Sequence, residues 1–252
     1  MNSTYQVSVK GFVWVDGKTL LRGNERGEWE LLGGRLEHGE DPVSCVIREF
    51  GEESGLTVRV KEIRSPWFYS IGEVRTVLIT PFECEATHVP DTLYDQDGGR
   101  LHWFTATDLS GLPMPNGYKD TIAGQWPAHS KSIISDEQTA AIRARPKMSL
   151  PEFKPIIEFQ FLSTEQTILV ERVHSRERSS LPECSMDPSV PISTLIEDML
   201  RHRRLTASGP HEFVTVFTTS SDEIRFVYRQ RVEEADADGS LTWADPGQFY
   251  EG

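Results

Sequence analysis

Apolar and polar residues alternate along VSVKGFVWV (7–15), a period of two that predicts a strand; a turn at Asp16-Gly17 leads into a second strand, TLLRG, and a lead-in, WELLGG. The period then changes. Asp41-Pro42 has the form of an N-cap followed by proline at the first helical position, and Gly55 fits the residue just past a C-terminus, so a helix is expected over Pro42–Ser54. At about 100° per residue, Val43, Val46, Ile47 and Phe50 share one arc of that helix and Glu49, Glu52 and Glu53 the opposite one. Period two returns in VRVKEI, VRTVLITPFECEA and LHWFTATDL, and a closing helix is expected after Asn116-Gly117.

The stretch GRLEHGEDPVSCVIREFGEESGL (34–56) carries six carboxylates, Glu37, Glu40, Asp41, Glu49, Glu52 and Glu53. Like charges on adjacent helical turns repel unless a positive charge sits among them. Glu49 and Glu53 lie one turn apart, so their oxygens can converge on a hard cation, with Glu52 on the same arc. Gly33-Gly34 ahead of the helix permits a tight turn that offers carbonyls nearby. The plain alternative is a solvated acidic helix face. Gly51, inside the helix, has no explanation at this level.

The surrounding residues favour the cation. The segment resembles the Nudix box, G-x5-E-x7-R-E-U-x-E-E-x-G-U with U a bulky apolar residue, at Gly34, Glu40, Arg48, Glu49, Phe50, Glu52, Glu53, Gly55 and Leu56. The order of elements over about residues 5 to 127 fits the same family, and implies its α/β fold, an α/β/α sandwich around a mixed sheet. Leu32 departs from the proline usual before the glycine pair. By this resemblance Glu49, Glu52, Glu53 and the Gly34 carbonyl would hold Mg²⁺ (or Mn²⁺), and Arg48 and Glu40 would pair to brace the loop, with Gly55 closing the helix. The implied reaction is metal-assisted hydrolysis of a diphosphate linkage in a nucleoside diphosphate derivative, with Glu52, Glu53 and Arg48 in the catalytic set.

Many Nudix enzymes take a further carboxylate from outside the box. Asp97, with Asp95, in LYDQDGGRLHW is the candidate here; a simple turn at Asp97-Gly98-Gly99 is the alternative. Trp67, Phe68 and Tyr69 in RSPWFYS could place a ring over a nucleobase, or could be ordinary core. The four-cysteine zinc site of NADH pyrophosphatases is absent.

From about Phe153 the order of elements recurs at a shift of 149 residues: IIEFQFL, TILVERV, the helix PISTLIEDMLRHRRL and the strand EIRFVYRQRV, with LTW meeting LHW after a shorter loop. In that register Arg48 and Glu49 become Glu197 and Asp198, and Glu52 and Glu53 become Arg201 and His202. A site that should attract a dication has become cationic. The expected organisation is a catalytic domain over 1–127, a linker over 128–152 with a short helix near Glu137 to Ala144, and a degenerate, inactive Nudix-like domain over 153–252. A DNA-binding regulator is the competing view of this half. Against it, residues 151–252 carry 18 acidic and 10 basic residues, and one clear helix where a helix-turn-helix needs two.

Composition narrows the picture. The net charge of −13 argues against a phosphate-backbone binder, so no duplex DNA partner is expected, and an anionic substrate would need a divalent metal to mediate its approach. The three cysteines, Cys45, Cys84 and Cys184, lack metal-site spacing. No apolar run approaches a membrane span and MNSTYQVSVKGFVW lacks the features of an export signal, which gives a cytoplasmic expectation. The partner expected is a nucleoside diphosphate-type small molecule, and the repeat allows either a homodimer or a pseudo-dimer within one chain.

Overall fold

In the computed structural model, which describes residues 3–132, 134–144, 150–163, 168–172, 179–220, 222–233 and 241–244, the alternating opening segment forms β1 (Gln6–Val15). The turn at Asp16 and Gly17, both at positive φ, reverses the chain into β2 (Lys18–Gly23), followed by the short β3 (Trp29–Glu30). After α1 (Pro42–Ser54) come β4 (Thr57–Ile63), β5 (Trp67–Ile71), β6 (Arg75–His88) and β7 (Arg100–Thr105). A 3₁₀ turn (Leu109–Gly111) leads to α2 (Asn116–Ile122), β8 (Ser130–Lys131) and α3 (Asp136–Ala144).

These strands make one mixed sheet in the order β3-β2-β1-β6-β5-β8, with β4 also on β6 and β7 also on β2. β1 and β6 run parallel at its centre, from Gln6 opposite Val77 to Val13 opposite Cys84. Both are buried along most of the paired length, Val9, Phe12, Val13, Leu78, Ile79 and Phe82 among the core residues, with Lys10 and Thr80 the buried polar exceptions. Residues 128–132, read from sequence as the start of a linker, instead add β8 to this sheet, with Tyr69 opposite Ser130.

The caps of α1 work as their residue types dictate. Asp41 accepts hydrogen bonds from the N–H groups of Val43 and Ser44, both at 3.0 Å, and Gly55 takes the left-handed conformation (φ 76°) while donating to the Gly51 carbonyl. The buried face differs from the expected arc. Val46 and Phe50 are buried, but Val43 and Ile47 are 36% and 39% exposed, and Glu53 is only 6% exposed. The helix is rolled so that Cys45, Phe50 and Glu53 face inward. It packs so closely on β1 that a Cβ at Gly11 would lie 2.5 Å from the Phe50 ring and 2.8 Å from Val46.

Contacts divide the chain into two units, Ser3–Phe153 with Ser220–Asp222, and Lys154–Thr219 with Glu223–Gly252. The second contains β9 (Lys154–Leu162), β10 (Ile168–Arg172), β11 (Ser179–Ser180), β12 (Glu183–Ser185), α4 (Ile192–His202), β13 (Thr206–Thr218), β14 (Glu223–Glu233) and β15 (Leu241–Ala244). β9 and β14 are a parallel pair at the centre of its sheet, as β1 and β6 are in the first. The backbone registers also correspond. Leu20 faces Trp103 and Leu169 faces Trp243; Ser8 faces Arg35 and Ile157 faces Cys184. Leu169, Ile157 and Cys184 each stand 149 positions after their counterparts on the first-named side or loop. No helix among the described residues is long and apolar enough to cross a membrane.

Candidate active site

The segment before α1 is laid directly on β1. Gly11 donates to the Leu32 carbonyl and Val9 to the Gly34 carbonyl, both at 2.8 Å. Gly33 sits at φ 129° where a Cβ would overlap the Val9 carbonyl, so backbone meets backbone and only glycine fits. At Gly34 a Cβ would overlap the carboxylate of Glu49, the mobile end of a side chain, which marks how closely Glu49 approaches this backbone.

Two carboxylates from successive turns of α1 therefore meet one short piece of backbone. Glu49 lies against Gly34, and Glu53 Oε2 accepts the Gly33 N–H at 2.7 Å. Burial pushes the Glu53 carboxyl up to about 7, against the opposing pull of Lys10, the Gly33 N–H and Arg22. Burial also raises Glu49, opposed chiefly by Arg48. Burial disfavours the charged form of both carboxylates, and their donors are oxygens, which suits a hard dication.

Arg48 organises the other side. Its Nε and Nη2 donate to the two oxygens of Glu40 at 2.9 and 3.1 Å, and its Nη1 donates to Glu49 at 2.8 Å and Glu52 at 3.1 Å. That fork holds Glu40 below the ordinary carboxylate range despite the opposing effect of burial. It also draws Glu52 toward solvent, where its side chain is 44% exposed. Consequently, among the described residues no three acidic, histidine or cysteine side chains are gathered as a ready cage. Glu49 lies against Gly34 and Glu53 against Gly33, while Glu52, on the same helix, is held by Arg48.

The loop carrying Asp95 and Asp97 is tied to this helix, since the Gln96 N–H donates to the Glu52 carbonyl at 3.1 Å. Asp95 is engaged: Arg22 Nε lies 2.5 Å from its Oδ2, and the Asp97 N–H donates to its Oδ1 at 2.8 Å. Asp97 is 83% exposed and 3.8 Å from Arg22, on a turn that the Asp95 side chain closes. The turn at Asp97-Gly98-Gly99 is present, and the Asp97 carboxylate has Arg22 as its charged neighbour.

The aromatic triplet is placed differently from its expected role over a nucleobase. Trp67, Phe68 and Tyr69 are 1%, 4% and 3% exposed, because all five residues of β5 are buried. The Trp67 indole donates to Thr121 Oγ1 at 3.1 Å and its ring meets Tyr118 edge-on at 5.0 Å. Phe68 packs on Tyr5, and the Tyr69 hydroxyl donates to Glu28 at 2.8 Å. None presents a ring face on which a base could stack.

Three charged residues near the carboxylates escaped the sequence reading. Lys10 is buried and donates to the Gly33 carbonyl at 2.6 Å, with Glu30 3.6 Å away; Arg22 Nε lies 3.2 Å from Glu53 Oε1. A lysine at the centre of the apolar run VSVKGFVWV was the available signal for the first. The same unit has a cavity of about 300 Å³ whose lining includes Asn116, Asp120, His129 and Lys131.

The family model described as NUDIX domain matches residues 4–124. A MutT-like protein of Streptomyces ambofaciens is 32% identical over 108 residues, covering 42% of this chain and 68% of that protein. The chain belongs to the Nudix family. A Nudix hydrolase of Bacillus subtilis (strain 168), YvcI, is 27% identical over 106 residues, 40% of this chain and 66% of that protein. The chain thus spans about two thirds of the length of these two relatives. Among solved structures, the MutT protein of Methanosarcina mazei Go1 aligns with a TM-score of 0.43 at 21% identity, over 49% of this chain and 94% of that one. Glu40, Arg48, Glu49, Glu52 and Glu53 are the charged residues at the specified positions of the chain's Nudix box.

Proposed function

We propose that the protein hydrolyses the diphosphate linkage of a nucleoside diphosphate derivative such as ADP-ribose, a dinucleotide or a nucleotide sugar, with nucleoside triphosphates the next class. The observation that carries this reading is the convergence of Glu49 and Glu53 on Gly33-Gly34. Glu49, Glu53, the Gly34 carbonyl and, after rotation, Glu52 would hold Mg²⁺ (or Mn²⁺). When bound, the ion would neutralise phosphate oxygens and lower the pKa of a water for in-line attack on phosphorus.

The chain's own residues would do the rest. Arg48 and Glu40 fix the helix against the loop through two parallel hydrogen bonds. Arg22, beside Glu53 and Asp95, supplies a guanidinium to the entering phosphates. Water adds to phosphorus, the bridging P–O bond breaks, and the attacking water's proton passes to a carboxylate, for which Asp97 is the exposed candidate.

We read the second unit as a degenerate Nudix copy without hydrolytic activity, with Asp198, Arg201 and His202 at the places of Glu49, Glu52 and Glu53. The test is phosphate release from ADP-ribose, NADH, nucleotide sugars, dinucleotides and nucleoside triphosphates, with a phosphatase as coupling enzyme, in Mg²⁺ and in chelator. Selective turnover that needs the metal is expected. Silence across the panel with ligand binding intact would replace the hydrolase with a nucleotide-sensing module.

A further inference from the structure

A cavity of about 460 Å³ opens in the second unit, lined by Cys184, Leu195, Asp198, Met199, His202 and Arg203. Strand pairing fixes its place. Cys184 faces Ile157 as Arg35 faces Ser8, and Leu195, Asp198, Met199 and His202 stand 149 positions after Val46, Glu49, Phe50 and Glu53. The cavity lies where the first unit presses α1 onto its glycine loop.

The two helices turn different faces toward their sheets. In the first unit Gly11 lets Val46 and Phe50 come down onto β1, and any Cβ there would collide with them. The residue 149 positions on is Gln160, a buried side chain whose Oε1 accepts hydrogen bonds from Arg229 Nε and Nη2 at 3.1 and 3.0 Å. α4 buries Ile192 and Ile196, which stand 149 positions after the exposed Val43 and Ile47, so its inward face is rolled relative to that of α1. Leu195 and Met199, the counterparts of Val46 and Phe50, are left half-buried as the cavity's apolar wall.

Its charge is also inverted. The last turn of α4 carries Arg201 and His202, followed by Arg203. The one carboxylate in the lining, Asp198, is matched by Arg201 at 2.6 Å, and His202 Nδ1 lies 2.7 Å from the Asp198 carbonyl. An apolar wall beside a cationic rim offers nothing to a dication and suits a ring that bears an anion. The size is within the roughly 300–1,000 Å³ of small-molecule pockets.

We propose that this cavity binds a nucleoside monophosphate directly, without metal, its base against Leu195 and Met199 and its phosphate at His202 and Arg203. The site is independent of the hydrolytic reading of the first unit, and its test is run where that unit cannot turn over. Titration calorimetry of the full chain in EDTA uses AMP as ring plus phosphate and inorganic phosphate as the anion alone. AMP is expected to bind saturably below about 1 mM, with phosphate weaker. His202→Glu should weaken AMP at least about tenfold by placing a negative charge on the rim. Leu195→Trp should abolish binding by filling the cavity, and Glu53→Gln should change nothing. His202 is exposed, so its replacement does not disturb the core. Absence of saturable AMP binding, equal binding in the His202 variant, or loss in the Glu53 variant would each overturn the proposal.

Discussion

Glu53 is acceptor for the Gly33 N–H, neighbour of Arg22 and a buried acid at once, so its replacement separates charge from shape. Glu53→Gln keeps the side-chain size and should lower turnover by orders of magnitude while leaving the far-ultraviolet circular dichroism unchanged; near-normal turnover would remove Glu53 from the metal site. A pH dependence follows as well. Its folded-state pKa of about 7 stands above the ordinary 4.5, so the folded protein binds the extra proton between those values. Without metal, stability should therefore fall as pH rises from about 4.5 to 7 and then level off, a contribution of about 3 kcal/mol from this group. Urea titrations in EDTA at pH 5.5 and 8 should show a steeper loss in wild type than in Glu53→Gln. Equal slopes would mean that the buried charge is relieved in some other way. The acid itself was legible from the Nudix box spacing, but its burial was not. Inward roll of α1, set by Gly11 beneath Phe50, is a contact between positions 39 apart that no local pattern records. Lys10 and Arg22 were hidden for the same reason.

Elements were read best where their ends carry their own chemistry. Asp41, Pro42 and Gly55 bounded α1 correctly because capping is local. Asp41→Ala should accordingly cost about 1 kcal/mol, measured by chemical denaturation, since two N–H groups lose their acceptor. Gly51 gives the opposite prediction. A Cβ there would meet no atom within 4 Å, so the folded structure gives no packing reason for glycine. Gly51→Ala should stabilise the protein by about 0.5–1 kcal/mol through helix propensity and a less free unfolded chain. A loss of stability would reveal a constraint on that face of α1. The run Trp67-Phe68-Tyr69 shows where element reading fails. A strand buried on both faces does not alternate, so its aromatics look the same in sequence whether they line a pocket or a core. Only the packing of α2 over Trp67, with Gly117 beneath the ring, decides for the core.

At the scale of the molecule, the repeated registers mean that two sheets with the same central parallel pair carry different side chains at matching helical positions, Asp198 for Glu49 but Arg201 for Glu52 and His202 for Glu53. Hydrolysis should then depend on one helix only. Asp198→Asn removes the sole carboxylate that α4 retains at the Glu49 or Glu53 positions, and the turnover should stay within about twofold of wild type if the second unit holds no catalytic metal. The same substitution frees Arg201 from its 2.6 Å partner and makes the α4 rim more cationic, so AMP binding in EDTA should tighten as hydrolysis stays level. A charge change that moves one readout and not the other would separate a binding unit from a hydrolysing one. A large loss of turnover would instead mean that α4 acts in the chemistry, and the inverted charges would need a different explanation from decay of a metal site.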